Sequence, residues 1–87
     1  MHKVTLKKAA AKGLDKLEGD AFDKVWSAVT ALGSNARPHG YIKLTGVNAY
    51  RVRVGDYRIV YDIDDKGQVV EVLDVGNRKD IYRRWGR

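Results

Sequence analysis

The sequence predicts an α+β fold: an antiparallel β-sheet with two N-terminal helices packed on one of its faces. Three observations predict it. Helical periodicity is confined to the first third of the chain, strand alternation fills residues 50–75, and the alternating stretches are joined by hairpin-length turns. The 87 residues make a single domain, 1–87, with room for one core.

The opening "HKVTL" reads as a short strand with Val4 and Leu6 on its apolar face. "KKAAAKGLDKLEG" follows as a short helix, in which Ala10, Leu14 and Leu17 fall at i, i+4 and i+7 and Gly19 is the expected stop. Gly13 in its interior costs about 1 kcal/mol relative to alanine, so this helix depends on tertiary packing. "DAFDKVWSAVTALG" carries the clearest helical stripe, Phe22, Val25, Trp26, Val29 and Leu32, which reads as core. Asp20 is placed to cap its N-terminus and Gly33 its C-terminus. "SNARPHG", with the sole proline, Pro38, is a loop, and "YIKLTG" a short extended segment.

In "YRVRVGDYRIVY" a two-residue loop at Gly55-Asp56 sets Val54 against Tyr57, Arg53 against Arg58, Val52 against Ile59 and Arg51 against Val60. Tyr50, Val52, Val54, Tyr57, Ile59 and Tyr61 then share one face, and Arg51, Arg53 and Arg58 the other. "DIDDKG" turns the chain into a third long strand, "QVVEVLDV". Pairing Ile59 with Val72 and Tyr61 with Val70 keeps the apolar face continuous and sets Leu73 beside Arg58. The opposite register would bury Glu71. The order is β-α-α-β-β-β plus a short basic tail, "GNRKDIYRRWGR". The helices must cover the apolar face, which leaves the arginine face open.

Composition narrows the chemistry. There is no cysteine, and the two histidines, His2 and His39, lack ligand spacing, so neither a metal nor a cofactor is expected. A net charge of +6 points to a polyanion or an acidic protein as partner. No apolar run approaches the ~18 residues of a membrane span, and "MHKVTLKKAAAK" has no signal-peptide core, so a cytoplasmic protein without membrane contact is expected.

Singly, each arginine is well explained as a solvated charge that Asp62, Glu71 or Asp74 could neutralise. As a set they are not, because Arg53 opposite Arg58 is destabilising and has no structural return. Arg78 stands just past the third strand, and Tyr82 follows four residues on, on the same side if the tail is helical. Guanidiniums grip phosphate in bidentate fashion and stabilise charge building on a phosphoryl group, and tyrosine stacks on bases or exchanges a proton. Histidine, the usual acid–base group, is missing from the set. The pattern alone reaches as far as binding a nucleic-acid backbone.

"RPHGYIKLTG", "YRVRVGDYRIVYDID" and "VLDVGNRKDIYRR", in that order and spacing, resemble the RelE toxins of the RelE/ParE toxin–antitoxin superfamily over nearly the whole chain. The resemblance implies the same fold and a ribosome-dependent endoribonuclease that cuts the mRNA codon in the A site. The 2′-hydroxyl attacks the adjacent phosphate and no metal is needed. It implies that Arg51 and Arg53 help activate the 2′-hydroxyl and grip the phosphate, and that Arg58 stabilises the transition-state charge. Arg78 would orient the phosphate and assist the leaving group, and Tyr82 would stack on the codon and take part in proton transfer. It also implies a cognate RelB-like antitoxin, the ribosome and mRNA as partners, with operator DNA reached only through the antitoxin.

Two departures stand out. The best-known members carry lysines where Arg51 and Arg53 stand, which favours alkoxide stabilisation over general-base action here. The spacing from Arg78 to Tyr82 is shorter than in those members, which leaves the stacking role open between Tyr82 and Trp85. A ParE-like gyrase inhibitor and a non-catalytic toxin homologue that only binds antitoxin or RNA are the competing readings.

Overall fold

The computed structural model describes residues 1–86. Its elements run β1 (Lys3–Leu6), α1 (Lys8–Asp15), α2 (Gly19–Ala31), β2 (Ile42–Lys43), β3 (Tyr50–Val54), β4 (Tyr57–Asp64), β5 (Val69–Asn77) and α3 (Arg78–Trp85). The strands form one sheet in the order β1-β5-β4-β3-β2. The class is α+β as expected, but the sheet is mixed: β1 pairs with β5 in parallel, Val4 opposite Val70, while the other pairings are antiparallel. A parallel neighbour requires a long crossover, and the helices lie in the chain between β1 and the strands that pair with one another. Each backbone pair of the β3–β4 hairpin falls where the alternation puts it, including Arg53 opposite Arg58.

Ala10, Leu14, Val25, Val29 and Leu32 of the helical region meet Val52, Ile59, Tyr61, Val70, Val72 and Val75 of the sheet in the main core. Tyr50, Val54 and Tyr57 pack against it, so the whole predicted apolar face is in use. Gly13 has a specific reason to be glycine: a Cβ there would collide with the carbonyl oxygen of Val75. Its absence lets α1 settle directly on β5.

Several local expectations are corrected. Trp26 is 42% exposed and stacks flat on Phe22, with ring centroids 6.2 Å apart, so the buried stripe of α2 is narrower than the one read from periodicity. Gly19 does not stop α1, which ends at Asp15; it is the first residue of α2, and the cap position belongs to Glu18, which makes no side-chain cap bond. At the other end of α2 the cap is Leu32, one residue before Gly33.

The pairing of β4 with β5 also differs. Tyr61 opposes Val72 and Ile59 opposes Val75. Two things cause this. Gln68 sits in the left-handed region (φ 55°), and Asp64 accepts a hydrogen bond from the Gly67 amide at 3.0 Å, so the turn takes residues 65–68 and the strand starts at Val69. Between Tyr61–Val72 and Val60–Asp74, β5 then advances by two residues while β4 advances by one. Leu73 is the extra residue of a β-bulge.

The arginine face is not wholly open. A second cluster, Leu44, Ala49, Val60 and Ile81, with Leu73 and Trp85 packed on it, carries α3 across part of that face. Leu73 therefore packs in this second cluster, and Arg58 stands opposite Gly76.

Tyr61 is fully buried and donates a hydrogen bond of 2.9 Å from its hydroxyl to the carbonyl of Ala36. Burial pushes its pKa up to about 12. The folded state thus favours the neutral phenol. The stabilisation is complete below the unfolded value near pH 10 and is lost as pH rises through about 12. Urea unfolding at a series of pH values should show a loss on the order of 2–3 kcal/mol across that window. Tyr61→Phe should be less stable at pH 8 and flatter from pH 10 to 12, and an equally steep alkaline loss in the variant would refute the assignment to Tyr61.

Candidate nucleic-acid interface

The hairpin and α3 enclose an open groove of about 1050 Å³ lined by Arg51, Arg53, Arg58, Arg78, Lys79, Tyr82, Arg83 and Gly86. All five residues singled out from the sequence, Arg51, Arg53, Arg58, Arg78 and Tyr82, line this one groove.

Arg58 forms its floor. It is 8% exposed, and its Nη1 donates to the carbonyls of Gly55 and Tyr57, both at 2.9 Å. The carbonyl of Gly55, a glycine at φ 58°, is one of its two anchors, so the hairpin turn that sets the strand register also holds the guanidinium. Burial draws the pKa of Arg58 below its usual value, and repulsion from Arg53, Arg51 and Arg78 draws it further, with Asp56 opposing weakly. Among the described residues no carboxylate lies within ion-pairing distance of Arg53, Arg58, Arg78 or Lys79. Two of the acids on the neighbouring strands, Asp62 and Asp74, are engaged elsewhere. Asp62 accepts from the Ile63 amide at 2.8 Å and stands opposite Glu71, and Asp74 faces α3.

The other wall is α3, a helix that follows β5 without a linker. Asn77 caps it, its side chain accepting from the Asp80 amide at 3.0 Å, and Gly86 closes it in the left-handed conformation. Ile81 and Trp85, four apart, face the sheet, so the pairs Arg78–Tyr82 and Lys79–Arg83, also four apart, line the groove. The helix is tied at both ends. The Arg78 amide donates to the carbonyl of Asp56 at 2.8 Å, joining it to the hairpin turn. At the far end the buried carboxylate of Asp74 accepts from Arg84 Nε at 2.7 Å, Arg84 Nη2 at 3.2 Å and Trp85 Nε1 at 2.9 Å. This pairing raises the pKa of Arg84 above its ordinary value.

The two aromatic candidates of the tail are thereby separated. Tyr82 is 66% exposed and lines the groove, whereas Trp85 is bonded to Asp74 and packed in the second cluster. Lys79 and Arg83 were missed by the sequence reading. The signal for them was the 3.6-residue period of "RKDIYRRW", visible once the tail is taken as a helix. Chemically, the groove is a row of guanidiniums with one buried member, open to solvent and edged by an aromatic ring. That arrangement suits a chain of phosphates with bases able to stack.

Residues 4–82 match the family model of the ParE toxin of type II toxin-antitoxin systems. A 35-residue segment, 40% of this chain and 40% of its relative, is 49% identical to toxin RelG of Mycobacterium tuberculosis. The structure is similar to a chain of the archaeal RelE–RelB complex from Pyrococcus horikoshii, with a TM-score of 0.77, 28% identity, and coverage of 88% of this chain and 94% of that one. It is similarly close to a chain of the RelBE2 toxin–antitoxin complex from Mycobacterium tuberculosis, with a TM-score of 0.77, 25% identity, and coverage of 88% and 98%.

If Asp74 holds α3 in place, Asp74→Ala should loosen that helix selectively. Hydrogen bonds to a charged group are worth ~1.5–3 kcal/mol, and the half-exposed Arg84 puts this case near the lower end. Hydrogen exchange should show the amides of residues 81–86 exchanging faster relative to those of β4. An α3 exchange pattern unchanged from the wild type would remove Asp74 from this role.

Proposed function

The chain belongs to the ParE toxin family of type II toxin–antitoxin systems and has a RelE-like fold, and from that premise we propose that it is a ribosome-dependent mRNA endoribonuclease. It acts in the cytoplasm, enters the ribosomal A site and cuts the exposed codon by attack of the 2′-hydroxyl on the neighbouring phosphate, without a metal. The observation that carries this reading is Arg58: a nearly buried guanidinium with no carboxylate partner among the described residues, repelled by Arg53, Arg51 and Arg78, in a groove edged by an exposed tyrosine. A bound phosphodiester would relieve that repulsion, and the dianionic phosphorane of the transition state would relieve it further. Differential stabilisation of this kind is what accelerates a reaction.

Roles follow from placement. Arg58, at the floor, holds the charge that develops on the non-bridging oxygens. Arg51 and Arg53 on β3 grip the phosphate and stabilise the nascent 2′-alkoxide. Arg78 orients the phosphate from the helix side, and Tyr82 stacks on a base of the codon. The toxin's partner in the resting cell is a RelB-like antitoxin, as the RelE–RelB complexes suggest, and an acidic one suits the +6 chain. Operator DNA is contacted through that antitoxin.

The test is primer extension on a defined message in a purified translation system. Wild-type protein should give codon-phased breaks that require ribosomes, and Arg58→Ala should reduce them by about 100-fold or more, in line with removing one oxyanion donor. The match to the ParE family model gives the gyrase reading its own support. Inhibition of gyrase supercoiling without breaks in the message would decide for that reading. Neither effect would leave a homologue that binds antitoxin alone.

A further inference from the structure

Cleavage by 2′-hydroxyl attack requires a proton to leave O2′ and another to reach the departing O5′. Five arginines among the described residues line the groove, and none of them serves, because a guanidinium keeps its protons. Among the described lining side chains, only Lys79 and Tyr82 can exchange one. The ring of Tyr82 is also the only aromatic surface among those lining residues, and stacking on the codon commits it.

Lys79 has no such commitment. It lies in the first turn of α3, next to Arg78 and one turn before Arg83, and is exposed to the groove. Among the described residues no carboxylate pairs with it. A lysine ammonium carries three N–H donors, the form a proton donor needs. Giving up that proton also removes one of several like charges crowded into the groove.

We propose that Lys79 is the general acid of this site, protonating the 5′-oxygen as it leaves. This rests on the ribonuclease reading above. The O2′–P bond forms as the P–O5′ bond breaks. The O2′ proton passes to water in the groove while the arginines hold the alkoxide and phosphorane charge. The Lys79 ammonium hands its proton to O5′ and becomes a neutral amine, which solvent reprotonates. The products are a 2′,3′-cyclic phosphate and a free 5′-hydroxyl. The side chains at positions 51 and 53 then need only be cations, and arginine meets that need.

A message carrying sulfur in place of the scissile 5′-oxygen separates this role from simple charge, because a thiolate departs without being protonated. Single-turnover cleavage on programmed ribosomes would be measured for wild type, Lys79→Ala and Lys79→Arg with the oxygen and sulfur messages. On the oxygen message both variants should be slower by about 100-fold, the size expected of general acid catalysis. On the sulfur message Lys79→Arg should cut at the wild-type rate, which would also show that the variant is folded and binds the ribosome. A wild-type rate for Lys79→Arg on the oxygen message would overturn the proposal, since positive charge alone would then suffice. An equal defect on both messages would overturn it too, by tracing the loss to binding or folding. Failure of the wild type to cut either message would instead overturn the ribonuclease reading, and the proposal with it.

Discussion

Holding Arg53, Arg58 and Arg78 in one groove with no carboxylate in ion-pairing distance among the described residues is the constraint to which the rest of the molecule is fitted. Like charges set directly opposite on neighbouring strands are destabilising, and Arg53 faces Arg58 directly across the hairpin. Such a face cannot hold itself together. It is held by the other side of the same strands, where Val52, Ile59 and Tyr61 are locked into the main core beneath the helices. Alternation makes this possible, since every arginine of β3 and β4 is flanked by residues anchored on the opposite face. The buried member, Arg58, is further fixed by two carbonyls, neutral acceptors that position a guanidinium without cancelling its charge.

The one buried carboxylate near this surface is used with the same economy. Asp74 sits on β5, one strand away from Arg58's own, and yet it pairs with Arg84 and Trp85. The bulge at Leu73 explains how. By adding a residue to β5 it lets Leu73 join the second cluster while the neighbouring Asp74 reaches the end of α3. A negative charge that would have quenched the groove becomes the clasp that closes its wall.

The hairpin was legible in full because a period-2 pattern and a two-residue loop leave one register, and a one-residue slip of either strand would have turned its arginines toward the core. The three arginines on one face, and their sharing a site with Arg78 and Tyr82, followed from that register and a four-residue spacing. What escaped depended on information that does not lie in local periodicity. Whether Gln68 begins a strand or ends a turn was decided by its backbone conformation and by Asp64, and the bulge by the packing of Leu73. The tail is too short for a convincing helical period on its own, so Lys79 and Arg83 stayed hidden. Trp26 shows the reverse error, a hydrophobic residue assigned to the core because its spacing permitted it, when its partner is Phe22 on the same helix.

The groove is therefore made of two halves with different mechanical footings. The hairpin contributes Arg51, Arg53 and Arg58, which on the proposed mechanism bind and stabilise charge, and which are fixed by the sheet. The helix contributes Arg78, Lys79 and Tyr82, which on the proposed mechanism orient the phosphate, deliver the proton and stack the codon. This second half hangs on a short element, clasped by Asp74 at one end and by the Asp56 carbonyl at the other. Binding of a polyanion draws on both halves, but proton delivery draws on the helix alone. It follows that the two properties are separable in principle. A change that loosens α3 should weaken cleavage more than it weakens attraction for RNA, because the cations of the hairpin remain where the core puts them.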